Sequence, residues 1–298
     1  MGYTDFFDFE REPFSNAPND KFYFDSEQHK QALLRLKYSV DSDKGLAVLV
    51  GGVGTGKTTL ARRMLDELPI DKYESSLLVM IHSEVTSDWI LSRICLQLGV
   101  ANPDVSPLKM LKQLYERLLQ IEQEGRKAVV LIDEAQMLQT RELMEEFRGL
   151  LNLEIPGKKL LNIVFFGLPE LEGVLKLDEP LAQRVAFRYT LKPLSAEASE
   201  LYIKHRLYVA GSKESPFTEG VIPLVHRLTG GVPRLINTLC DNALFEAYLR
   251  HEEKVSCGIV RNVAEDFGLV AAPTADKLVE KAEDLNEIEM IFDDLEEK

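Results

Sequence analysis

Gly51-Gly-Val-Gly-Thr-Gly-Lys-Thr58 follows the apolar run Leu46-Ala-Val-Leu-Val50 and opens onto Thr58–Leu68, which is patterned as a helix. The stretch fits GxxxxGK[ST] in its required setting, after a strand and at the start of a helix. Glycines let backbone N–H groups turn inward and approach phosphate oxygens closely. The helix N-terminus adds a partial positive charge. Gly51, Gly52, Val53, Gly54, Thr55, Gly56, Lys57, Thr58 and Thr59 are therefore expected to hold a nucleotide, ATP. Lys57 is expected to reach its β- and γ-phosphates, and the Thr58 hydroxyl to ligate Mg2+.

A second signal lies downstream in Ala128-Val-Val-Leu-Ile-Asp-Glu134. An acidic pair here ends a buried strand, where parallel α/β sheets place their ligand sites. Asp133 fits a second Mg2+ ligand, and Glu134 fits the base that polarises an attacking water.

Around these two segments, strands and helices alternate. Continuous apolar runs at 46–50, 77–81, 128–132 and 161–166 read as strands buried on both faces. Helical spacing covers Glu27–Ser39 with Ser26 as N-cap, Asp88–Leu98, Leu108–Ile121 and Glu142–Leu151. Alternation of this kind predicts a three-layer αβα core with a parallel sheet, a P-loop NTPase. After about residue 192 no strand pattern returns. Ala196–Val209, Thr218–Leu228, Val232–Tyr248 and Ser256–Phe267 predict an all-helical unit. The expected organisation is an arm and first helix at 1–44, the core at 45–192, a helical lid at 193–270 and an acidic tail at 271–298. In the tail, Leu278, Leu285 and Phe292 are seven apart, with Ile288 and Leu295 three beyond the last two, a short amphipathic seam.

Composition narrows the partners. The 298 residues carry a net charge of −14, and half of that excess lies between Asp276 and Lys298. The basic excess that drives non-specific polyanion binding is missing. Cys95, Cys240 and Cys257 have no CxxC spacing, which argues against a disulfide framework or a zinc site. No apolar run approaches the ~20 residues of a membrane span, and no signal peptide is read at the N-terminus. A cytoplasmic, bacterial protein is expected.

The order of these motifs resembles the AAA+ ATPases. Within them it is similar to the bacterial ExeA/GspA-type ATPases of the general secretion pathway. The matching residues are Phe6-Phe7, Glu12-Pro-Phe-Ser15, Gly51–Thr58, Asp133-Glu-Ala-Gln136, Leu150-Leu-Asn-Leu-Glu154, Gly167-Leu-Pro-Glu-Leu171, Gln183-Arg184, Lys192-Pro-Leu-Ser195 and Gly230-Gly-Val-Pro-Arg-Leu-Ile-Asn237. The resemblance implies that Arg234 touches the γ-phosphate from the lid, and that Arg184 is an arginine finger offered to a neighbouring subunit's ATP. Arg188 stands close enough in sequence to serve instead. Two departures stand out. Leu168 occupies a position that is usually polar in this family, leaving Asn162 or another group to replace it. The family's secretion ATPases continue into a membrane span and a cell-wall-binding region, so this chain is expected not to play that envelope-spanning role. The arm aromatics Phe22, Tyr23 and Phe24 are candidates for adenine packing or plain core, and His29 belongs to the same arm.

The expected function is hydrolysis of ATP to ADP and phosphate, coupled to remodelling or assembling a protein partner. Activity is expected to depend on a homo-oligomer, a ring or filament, with the 276–298 tail as a candidate docking segment. The alternatives are a nucleotide-dependent switch or scaffold with little turnover, and a DNA-dependent transposition-type ATPase. Overall acidity disfavours nucleic acid, although Lys109, Lys112, Arg117 and Lys158-Lys159 form a candidate basic strip.

Overall fold

The computed structural model describes residues 2–269. In chain order the elements are α1 (Tyr3–Phe6), α2 (Glu27–Asp41), β1 (Leu46–Gly51), α3 (Lys57–Asp66), β2 (Tyr73–Val79), α4 (Ser87–Gln97), α5 (Pro107–Gln123), β3 (Lys127–Asp133) and α6 (Arg141–Leu150). They continue with β4 (Glu154–Ile155), β5 (Lys158–Lys159), β6 (Leu161–Gly167), α7 (Leu171–Leu175), α8 (Glu179–Ala182), β7 (Val185–Leu191), α9 (Ala196–Val209), α10 (Val221–Thr229), α11 (Pro233–Leu249) and α12 (Cys257–Asp266). The acidic seam at 276–298 lies outside the described residues.

The chain forms two compact units. The first comprises residues 17–193. Its sheet has the order β2-β3-β6-β1-β7, with every neighbouring pair parallel. Side chains alternate across the sheet, so each central strand feeds two cores. Val48, Val130, Ile132 and Phe165 face one cluster with α4, α5 and α6. Ala47, Leu49, Val129, Leu131, Val164 and Phe166 face the other with α2 and α3. This double burial is why β1, β3 and β6 read as continuous apolar runs. The αβα core and its P-loop NTPase topology are as expected.

Two strands of the five-stranded sheet differ from the sequence expectation, and the short β4–β5 hairpin is additional to it. β2 begins at Tyr73 rather than Leu77, because three of its first four residues, Tyr73-Glu-Ser-Ser76, are polar and Tyr73, Glu74 and Ser75 are only partly covered at the sheet edge. β7 was not expected at all. It is the opposite edge, with Val185, Phe187 and Tyr189 half-buried between exposed Ala186, Arg188 and Thr190. An edge strand covered on one face carries alternation instead of an apolar run.

The second unit joins residues 2–16 to the helices from Leu194 onward. The first 44 residues therefore divide: the Phe6–Ser15 segment packs in the helical unit, while α2 packs in the sheet unit. Phe14 meets Phe217 at 6.1 Å, and Phe6 meets Tyr248 edge-on at 5.6 Å. Buried Arg206 ties the segment down, donating to the Pro13 carbonyl at 2.5 Å and the Ser15 carbonyl at 2.8 Å. No described helix is long and apolar enough to cross a membrane.

Candidate functional site

β1 ends at Gly51 and α3 begins at Lys57, and the loop between them is folded onto the Gly52 carbonyl. That oxygen accepts from Thr55 N–H at 3.4 Å, Thr55 Oγ1 at 2.9 Å and Lys57 Nζ at 3.0 Å. Lys57 is buried, while Val53 at the crest is exposed. Gly56 caps α3 in the left-handed region, which leaves the helix N-terminus open to an anion.

Asp133 closes β3, two strands away, and is buried. Its Oδ1 accepts from the Glu134 N–H at 3.0 Å, while its Oδ2 is buried without a hydrogen-bond partner. Burial pushes the Asp133 carboxyl above the usual carboxylate range, opposed by hydrogen bonds from the Thr58 side chain and the Glu134 backbone and by the nearby Lys57 charge. The donor set suits Mg2+: a buried carboxylate oxygen beside a hydroxyl, both hard ligands, leaving other positions to phosphate oxygens and water. Among the described residues no group of three or more His, Cys, Asp or Glu could hold a metal by itself.

Glu134 takes φ 55 and ψ 37, a left-handed conformation that costs a non-glycine residue on the order of 1–3 kcal/mol. It turns the chain sharply off the strand, and its carboxylate meets Gln136, whose Nε2 donates to Glu134 Oε2 at 2.6 Å. Gln136 is itself buried, and its Oε1 accepts from the Leu168 N–H at 3.0 Å. The backbone of position 168, not its apolar side chain, is thus tied to Glu134. Asn162 cannot stand in for a polar residue there. It sits at the start of β6, roughly 16 Å from the far end of the strand by strand geometry. Its amide serves Gly45 N–H at 3.2 Å and Asp43 at 3.3 Å.

The two finger candidates differ in their partners. Arg184 is exposed and is held by neutral groups, the Arg148 carbonyl at 3.1 Å and Asn152 Oδ1 at 2.5 Å. Arg188, on β7, is ion-paired with Glu172 and donates to the Ala182 carbonyl at 3.1 Å. Arg234 lies exposed in the first turn of α11, where the helix dipole opposes a cation. The preceding Gly231 has φ +76, and a Cβ there would fall 2.0 Å from the Leu194 carbonyl oxygen, so glycine is needed for this close approach.

Of the arm aromatics, Phe22 is core, and Tyr23 packs under the Arg63 guanidinium at 5.4 Å and beside His29. The Gln136 bridge had no signal in the sequence beyond its place two residues after Glu134.

A glycine-rich loop closing β1, with a buried acidic residue at the end of a nearby parallel strand, defines a P-loop NTPase. Residues 40–175 match a family described as "AAA domain". The chain is 40% identical over 259 residues to general secretion pathway protein A of Aeromonas hydrophila, covering 86% of this chain and 47% of that protein. It therefore spans about half the length of the curated relative it matches. Among solved structures, CDC6P from Pyrobaculum aerophilum aligns over 90% of this chain and 73% of its own, with 18% identity and a TM-score of 0.65. The Aeropyrum pernix ORC1 protein in complex with DNA aligns over 86% and 69%, with 19% identity and a TM-score of 0.62. The chain is thus similar to the AAA ATPases and to general secretion pathway protein A, and the P-loop it shares with them implies nucleotide binding.

Proposed function

We propose that this protein hydrolyses ATP to ADP and phosphate and uses the cycle to remodel or assemble a protein partner. The observation that carries this reading is the grouping of Lys57, Thr58, Asp133 and Glu134 at one end of the sheet. Backbone N–H groups of Gly51–Thr59 bind the phosphates, and Lys57 leaves the Gly52 carbonyl to neutralise β- and γ-phosphate charge. Thr58 and Asp133 hold Mg2+, which supplies charge neutralisation and orients the phosphates. Glu134 accepts a hydrogen bond from the attacking water and orients it at the γ-phosphorus. Arg234 is assigned to γ-phosphate sensing on the family resemblance alone. Arg184, exposed and free of any carboxylate hydrogen bond, is the better finger than Arg188, whose charge is already met by Glu172. A finger given to a neighbouring subunit makes turnover depend on homo-oligomerisation. A cytoplasmic site of action and partner docking through the 276–298 tail belong to the same proposal.

A switch with little turnover is the second reading, and the hold of Gln136 on Glu134 is what favours it. The DNA-dependent reading loses its basic strip. Lys109, Lys112, Arg117, Lys158 and Lys159 each pair with a carboxylate, of Asp104, Glu116, Glu74, Glu122 and Glu154 respectively.

Phosphate release measured against protein concentration tests the proposal, with Lys57→Ala and Glu134→Gln as controls. Specific activity is expected to rise with concentration and to vanish in both variants. Tight ATP binding with release no faster than in Glu134→Gln at every concentration overturns hydrolysis and leaves the switch.

A further inference from the structure

His29, on the first turn of α2, is buried against the underside of the phosphate loop. Its Nδ1 lies 2.6 Å from Ser26 Oγ, and its ring also hydrogen-bonds the Thr55 backbone. A Cβ built on Gly56 would stand 3.0 Å from His29 Nε2, so the imidazole packs against Gly56 with no room for a side chain there. Ser26 Oγ already accepts the His29 N–H as the α2 N-cap, at 3.4 Å, so its proton is free to go to Nδ1. That leaves Nε2–H to donate to the Thr55 carbonyl, the neutral tautomer. Burial, which pushes this imidazole below its usual value, agrees with it.

In a planar trans peptide the carbonyl of one residue and the N–H of the next point in opposite directions. Anchoring the Thr55 carbonyl on His29 therefore aims the Gly56 N–H the other way, into the concave side of the loop. Gly56 at φ +103 is free to follow. We propose that His29 is a positioning residue for nucleotide binding, a strut that fixes the Thr55–Gly56 peptide so that its N–H meets a phosphate oxygen. It touches no phosphate itself and acts only through that peptide. The inference rests on the ATP-binding reading of the loop.

Dissociation constants for ADP and ATP, alongside the apo melting midpoint, test it in the full chain with His29→Ala, His29→Gln and Lys57→Ala. His29→Ala is expected to weaken both nucleotides about tenfold, the scale of one well-placed hydrogen bond. His29→Gln, whose amide can still donate to the Thr55 carbonyl, is expected to recover most of the affinity. Parent-like affinity in His29→Ala overturns the strut. So does equal loss in both His29 variants that only tracks a lower apo midpoint, which marks a core residue. If His29→Ala does not fold, His29→Gln and Ser26→Ala decide: parent-like affinity in His29→Gln with a loosened nucleotide in Ser26→Ala supports the strut, and any other pair overturns it. If Lys57→Ala binds like the parent, or the parent binds neither nucleotide, the ATP-binding reading fails first and the strut with it.

Discussion

Gln136 Nε2 donates to Glu134 Oε2 at 2.6 Å, and the same buried amide accepts the Leu168 N–H, so the carboxylate that ends the β3 turn is wired to the end of β6. The Gln136 amide thereby joins the Glu134 carboxylate to the Leu168 peptide through two hydrogen bonds. This gives position 168 a way to report to Glu134 without a polar side chain of its own.

Gln136→Ala is expected to lower kcat about 10- to 100-fold with KM little changed, the cost of a misplaced catalytic group. Gln136→Glu keeps an acceptor for Leu168 but replaces the donor to Glu134 with a like charge, and should lower kcat at least as much. Steady-state kinetics reads both. A rise in kcat would instead make Gln136 a restraint and favour the switch.

Asp133 carries the cost of burying a charge. Its folded-state pKa lies above the ordinary value, so the native state holds the proton more tightly than the unfolded chain does. This group's contribution to stability is greatest below the ordinary carboxylate value and declines as pH rises through the folded value. Asp133→Asn should therefore raise the apo melting midpoint at neutral pH by about 1–3 °C, and the gain should shrink on acidification. The same variant should lose the extra midpoint rise that Mg2+ adds to ATP. Thermal melts with and without a chelator check both.

Arg184→Ala should bind ATP normally and turn over at least ~100-fold more slowly, as expected when an arginine finger is removed. Mixing it with Glu134→Gln should restore part of the activity, because each variant supplies what the other lacks. Arg188→Ala, which loses a carboxylate-paired side chain, should cost little turnover. Lack of rescue in the mixture sinks the finger in trans.

Arg206 donates to the Pro13 and Ser15 carbonyls, and also to the Tyr202 hydroxyl at 2.9 Å. Arg206→Met leaves two carbonyls without these donors and should cost about 2–4 kcal/mol, with proteolysis near residues 10–16 becoming faster. Arg206→Lys should recover little, since one ammonium cannot span the same fork. Urea unfolding and limited proteolysis measure the two effects.

Spacing and periodicity along the chain determined the P-loop, the acidic pair, the strands of the sheet centre and the helical character of residues 196–267. Those features are local. Glycine torsions, strand-buried apolar runs and helical repeats follow from neighbours a few residues apart. Tertiary structure alone decided the rest. The edge strand β7 alternates half-buried with exposed residues and the edge strand β2 opens on polar residues, so neither presents a continuous apolar run. Asn162 and Leu168 lie at opposite ends of β6, which excludes the first as a replacement for the second. Gln136 reaches Leu168 across 32 residues because β3 and β6 are neighbours, and His29 reaches Gly56 because α2 and α3 share one face of the sheet. Contacts of this kind depend on the order in which strands are laid down, and residue spacing does not record that order.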